Sequence, residues 1–150
     1  MLLFKVAGLL IMFLICCAVG FSKAYNLKKR EEKLNAYYRS IDLFSMRIRT
    51  ENGDTEKLLP LCFKESEVFL KDGKICYNKS FLNDSDKNLL CEFFSDFGQR
   101  SREDEYERTR LFYDLLKKQY LEALEDSRKL CKLYGTVGVL CGIFICIFFL

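Results

Sequence analysis

Apolar positions in the second half of the chain recur at spacings of three, four and seven: Tyr113, Leu116, Tyr120, Ala123, Leu130 and Tyr134. That spacing keeps them on one stripe of a helix. The helix is expected to begin at Ser101, a natural N-cap, with Asp104 three residues on to close a capping box. Glu103, Asp104, Glu105 and Glu107 then lie at its positive end as partners of the helix dipole. No glycine or proline interrupts it before Gly135, and from Leu133 to Leu150 no residue is charged. Those positions, at about 1.5 Å each, rise about 27 Å, close to the thickness of a bilayer's hydrocarbon core. Residues 133–150 are therefore expected to span a membrane.

The first part of the chain mirrors this arrangement. In residues 1–22, read as a first transmembrane helix, the one charged residue is Lys5, and the uncharged run from Val6 to Ser22 is at the short limit for a span. It also fits a secretory leader, because Ala18-Val19-Gly20 is similar to a small-residue cleavage site. The strong basic charge, however, follows the apolar run, at Lys23, Lys28, Lys29, Arg30 and Lys33, which favours a retained span. Arg128, Lys129 and Lys132 flank the second span on its body side. By the positive-inside rule the body, residues 23–132, is expected in the cytoplasm and the termini outside.

Beyond the first span Leu27, Leu34, Ile41 and Ile48 fall seven apart, with Tyr37 and Phe44 between them, and Arg30 interrupts the stripe. Glu51-Asn52-Gly53-Asp54 supplies turn chemistry that ends the helix. Two long striped helices anchored in one membrane can bury their stripes antiparallel, with Leu34, Ile41 and Phe44 facing Tyr113, Leu116 and Tyr120. The alternative is two separate amphipathic helices, each packed on the middle segment. In that middle a helix is expected over Thr55 to Glu65, with Pro60 limiting its first turns, and a second piece over Ser66 to Lys71. Asp72-Gly73 marks a turn, Ile75 to Leu82 reads as a short helix or an extended connection, and Ser85 caps a helix closed by Gly98.

Composition narrows the class. One proline and eight glycines among long periodic segments argue for an all-α fold: a helical body of antiparallel long helices and short middle helices between two transmembrane helices, with strand content near zero. The net charge of +3 does not indicate a nucleic-acid binder. There is no histidine, and the body's Cys62, Cys76, Cys91 and Cys131 have no C-x-x-C spacing, so neither zinc nor any cofactor is expected. Without a nucleophile elbow or a phosphate-binding loop, no enzyme and no small-molecule substrate are indicated. Gly138 and Gly142 form a G-x-x-x-G, with Gly135 nearby, that suits close helix packing against the first span or another copy, opening the way to a homo-oligomer. The basic flanks suit anionic lipid as well as topology.

Three segments resemble a known family: Gly20-Phe21-Ser22-Lys23-Ala24 with Leu27-Lys28-Lys29-Arg30, Phe97-Gly98-Gln99-Arg100-Ser101-Arg102-Glu103-Asp104-Glu105, and Lys132-Leu133-Tyr134 running to Gly138-Val139-Leu140-Cys141-Gly142. They look like stage III sporulation protein AB. The resemblance implies a membrane protein of endospore-forming bacteria, similar in its helical body to F-type platform proteins of type II secretion and type IV pilus machines. It also implies a place in the channel apparatus between mother cell and forespore, beside other membrane subunits and the AA-type cytoplasmic secretion ATPase of the same set. Arg100, Arg102, Glu103 and Asp104, beside the Gly53 turn, are the expected docking residues for that ATPase. The rival reading is an exported, disulfide-stabilised binding domain with a cleaved leader and a C-terminal membrane anchor.

Overall fold

Both periodic stripes become long helices. In the computed structural model the chain runs α1 (Leu2–Thr50), α2 (Thr55–Cys62), a 3-10 turn (Lys64–Ser66), β1 (Phe69–Lys71), β2 (Lys74–Cys76), α3 (Asp84–Ser95) and α4 (Arg102–Phe149). The structure describes residues 2–149 except 51–54, 72–73, 96 and 98–99, and the side chains of 7–50, 58–68, 75–95, 97 and 100–148. The turns expected at Glu51-Asn52-Gly53-Asp54 and Asp72-Gly73, and the helix stop at Gly98, lie outside the described residues. The fold is all-α, as its pattern implies, apart from one small hairpin. Two compact units form, one of Met1–Lys29 with Leu124–Leu150 and one of Arg30–Ala123.

Within the larger unit the α1 stripe is buried at Leu34, Tyr37, Ile41, Phe44 and Ile48. Leu116 and Ala123 of α4 are buried too, and Tyr113 and Tyr120 pack against the same core. The two helices meet antiparallel: the Tyr38 ring stacks on Tyr113 and Tyr120, with centroids 4.9 and 5.7 Å apart, while Arg102 at the start of α4 reaches Ile48 near the end of α1. The α4 stripe extends further toward its N-terminus than apolar spacing indicates. Phe112, Thr109 and Glu105 are buried in line with Leu116, and the Thr109 hydroxyl is satisfied by donating to the Glu105 carbonyl at 2.7 Å. A polar residue bonded to its own helix hides from a hydrophobicity pattern. Leu130 is half-buried and Tyr134 exposed, so the stripe does not continue through them.

Phenylalanines of α1, α3 and α4 and of the segments after α2 and α3 close the core. Phe44, Phe63, Phe93, Phe94, Phe97 and Phe112 pack in edge-on and tilted contacts, such as 5.0 Å between Phe44 and Phe97 and 5.3 Å between Phe93 and Phe112. Each such ring taken from water contributes roughly 1.5–3 kcal/mol before entropy is counted.

The middle segment departs from the expected second helical piece over Ser66 to Lys71. A 3-10 turn ends at Glu67, which takes a left-handed backbone (φ 55°), and β1 then pairs antiparallel with β2 in the register Phe69↔Cys76, Leu70↔Ile75, Lys71↔Lys74. So short a stretch cannot nucleate a helix, whereas two runs flanking Asp-Gly can pair at once. The chain from Tyr77 to Lys79 is irregular rather than helical, in keeping with the extended alternative. Glu67 ties this segment to α1: its carboxylate accepts from Asn78 Nδ2 at 2.7 Å and from Lys33 Nζ at 3.3 Å, which together hold its pKa below the usual carboxylate range. The Tyr37 hydroxyl donates to the Asn78 carbonyl, and burial pushes its pKa up.

The cap of α3 is Asn83, not Ser85. Asn83 Oδ1 accepts the Asp86 N–H at 2.7 Å and Asp86 Oδ2 accepts the Asn83 N–H at 3.1 Å, a reciprocal capping box. Ser85 sits inside the first turn and accepts a hydrogen bond from Gln119 of α4.

One titration reports directly on the α1–α4 contact. The Tyr113 hydroxyl is pushed up to about 12, first by its hydrogen bond with Tyr38 at 2.5 Å, then by burial and by the charges of Asp42 and Asp114. Because the folded pKa lies above the ordinary 10.0, this contribution to stability is complete below pH 10 and is lost as pH rises through 12. Ultraviolet titration should show a tyrosine step near 12 that moves toward 10 in Tyr38→Phe; a step that stays near 12 in the variant would place the shift elsewhere.

Candidate functional site

The start of α4 is built as its sequence indicates. The Ser101 hydroxyl donates to Asp104 Oδ2 at 2.6 Å and accepts the Asp104 N–H at 3.3 Å. Asp104 is thus engaged in capping, while Arg100 and Glu103 are exposed. Arg102 has a duty that the sequence did not suggest: its Nε donates to the Ile48 carbonyl at 2.7 Å. That carbonyl is one of the last in α1, where no helical N–H is available, so Arg102 acts as a side-chain cap for α1 and complements its negative end. Gly53 lies outside the described residues.

Around this junction Ile48, Arg49, Arg102, Glu103, Tyr106 and Arg110 line a cleft of about 530 Å³. The structure brings Arg102 and Glu103 into it and adds Arg49, Tyr106 and Arg110. A signal for two of these exists in the sequence, since Arg102, Tyr106 and Arg110 are spaced by four and share a helix face. Arg49 has no such signal.

Arg108 performs the same service for α3 that Arg102 performs for α1. Its Nη2 donates to the Glu92 and Phe93 carbonyls at 2.6 and 3.0 Å, and the guanidinium lies over the Phe93 and Phe112 rings at 5.8 and 5.2 Å. Glu105, in the first turn of α4 where it partners the helix dipole, is 1% exposed, with Arg108 Nη1 at 3.8 Å. Burial of the following turn against the aromatic core carries it inside.

The residue that interrupts the α1 stripe makes a largely buried, bidentate ion pair. Arg30 Nε and Nη2 donate to Asp86 Oδ2 and Oδ1 at 2.8 and 3.1 Å, with side-chain exposures of 13% and 0%. Asp86 therefore closes the α3 capping box and holds α1 with one carboxylate.

In the smaller unit the two apolar segments pair antiparallel through backbone contact. A Cβ on Gly138 would meet the Cys16 carbonyl oxygen at 3.1 Å and the Gly20 Cα at 3.2 Å, and one on Gly20 would meet the Tyr134 carbonyl oxygen at 2.6 Å. Gly142 is covered by the Phe13 ring, whereas Gly135 has only an ordinary contact with Phe21 at 3.9 Å. The close approach thus uses Gly20, Gly138 and Gly142 and leaves Gly135 aside. Cys131 Sγ adds a bond to the Ala24 carbonyl at 3.2 Å. Only 6% and 11% of the two most apolar windows are buried, and Leu10, Leu14, Phe144 and Ile147 are more than half exposed. A soluble protein's core helix would bury these side chains, so their outer faces are suited to lipid.

Among the described residues no group of three or more Cys, Asp or Glu side chains is placed to hold a metal. Long apolar helices paired through glycine, attached to an aromatic-cored helical body, define a membrane protein. The family model described as stage III sporulation protein AB matches residues 64–150, more than half of the chain, and the chain belongs to that family. Its role accordingly lies in stage III of sporulation, and the family bears no enzymatic signature. No curated protein and no solved structure shows a significant match.

Two sets of substitutions test these contacts. Arg30→Ala and Asp86→Ala should each destabilise the body by about 3–5 kcal/mol, because each strands a buried charge. The double variant should lose less than the sum; additive losses in denaturant melts would show that the pair is not coupled. In detergent, Gly138→Leu should lower the melting stability by about 1–3 kcal/mol through overpacking against backbone, and Gly135→Ala should stay within about 0.5 kcal/mol. Equal effects at the two glycines would contradict the packing described.

Proposed function

We propose that this chain is a non-enzymatic platform or adaptor subunit of the stage III sporulation membrane complex, with its body in the mother-cell cytoplasm and the start of α4 as the docking surface for the AA-type secretion ATPase. The observation that most supports this reading is the cleft at the α1–α4 junction. There, Arg102 and Glu103 converge with two further arginines, and the lining has the mixed charge of a protein-binding surface rather than a nucleophile and base. Arg100 and Glu103 are the exposed contacts, Asp104 keeps the helix start in place, and Arg102 positions the junction by holding Ile48. The outer apolar faces of α1 and α4 would meet lipid and other membrane subunits or a second copy. The basic residues flanking both apolar segments support the cytoplasmic placement.

Orientation is tested at Cys91, an exposed thiol on α3. In intact sporulating cells a membrane-permeant maleimide should label it and an impermeant one should not; labelling by the impermeant reagent would reverse the topology. For docking, the full chain in nanodiscs should capture purified ATPase, and Arg100→Glu with Glu103→Arg should weaken capture at least about tenfold while leaving Arg102 in place. Undiminished capture would move the contact off this turn.

A further inference from the structure

From the same cleft we infer that the body receives an acidic peptide segment of a protein partner, with Arg49 and Arg110 as its carboxylate contacts and Arg102 as a positioning residue. This rests on the docking reading above and deepens it. Three of the six lining residues are arginines and one is acidic, so the recess carries a net positive charge. Among the described residues neither Arg49 nor Arg110 makes an ion pair or hydrogen bond, and both are exposed. Arg102 differs from them, being directed to the Ile48 carbonyl, where it offsets the negative end of α1.

Shape and lining select among anions. A cleft of about 530 Å³ is in the range of sites that enclose ligands much larger than a lone phosphate. Glu103 repels a compact dianion, but an extended chain with spaced carboxylates can place them on Arg49 and Arg110 and pass it by. Guanidinium groups suit carboxylates because two parallel N–H donors match two oxygens. Ile48 and the Tyr106 ring supply apolar contact for the peptide's stem. A planar layer of lipid headgroups does not enter a recess, which favours a peptide over a membrane surface.

The test uses the full chain in phosphatidylcholine nanodiscs and a fluorescein-labelled peptide of alternating glutamate and alanine, read by anisotropy. Arg49→Glu with Arg110→Glu should weaken binding at least about tenfold, more than 1.4 kcal/mol, without moving the thermal melt. A control with the same charge change at exposed sites outside the cleft, Arg39→Glu with Lys117→Glu, should bind as the wild type does. Absence of binding by the wild type, equal binding by the cleft variant, or equal loss in the control would overturn the assignment. So would competition by inorganic phosphate or by phosphatidylglycerol vesicles as strong as that by unlabelled peptide. Because the ATPase is absent from this assay, the two readings fail separately. Peptide binding without ATPase capture refutes the platform partner and keeps the cleft, while ATPase capture without peptide binding does the reverse.

Discussion

The Asp86 carboxylate bears more of the body's organisation than any other described polar group. Its oxygens accept two hydrogen bonds from the Arg30 guanidinium and one from the Asn83 N–H, while the side chain is wholly buried. An isolated carboxylate in that position would be driven to neutralise, and a lone guanidinium opposite it would be no better placed. Together they fix the start of α3 against α1 at one point, and the aromatic core forms on the side that this fixes. Such a pair adds little net stability compared with apolar residues of the same size. Its effect is on register, because a slip of either helix leaves a buried charge unmatched.

Helix α4 applies the same logic at the far ends of its neighbours. Arg102 satisfies a terminal carbonyl of α1 and Arg108 satisfies two of α3, so the helix ends in the body are closed by side chains of a third helix. The arginine over Phe93 and Phe112 also joins polar capping to the aromatic core. This dependence places the cleft at the junction of α1 and α4. The first turns of α4, which hold α1, also bring Glu103, Tyr106 and Arg110 to the cleft, and α1 contributes Arg49. A partner that engages the cleft therefore touches the junction of two helices, not a loop.

The apolar segments are held by a different physics. In lipid, apolar area gives helices no reason to associate, so close backbone approach at Gly20 and Gly138 supplies the packing, and large side chains remain outside. The two apolar helices fit a membrane protein, and the chain belongs to the stage III sporulation protein AB family.

Length, period and charge alone determined the long helices, their antiparallel packing in the body and the apolar character of their other ends. Those features follow from positions such as Leu34, Ile41, Phe44 and Leu116, whose spacing admits one buried face. The Ser101 cap was legible for the same reason, since capping is local and a few residues specify it. What only the tertiary structure decided involves partners distant in the chain. Nothing near Arg30 announces Asp86, nothing near Arg102 announces Ile48, and Gly20 reads as part of a leader-like motif until Gly138 is set against it. Polar residues on a buried face, such as Glu105 and Thr109, are invisible to a pattern that equates burial with hydrophobicity. The hairpin around Ile75 was hidden because short strands compete with short helices on propensities too small to separate them, and pairing across the chain settles the contest. The candidate cleft divides the same way: Arg102, Tyr106 and Arg110 share a face that helical spacing discloses, but the recess exists only because α1 ends with Arg49 beside them.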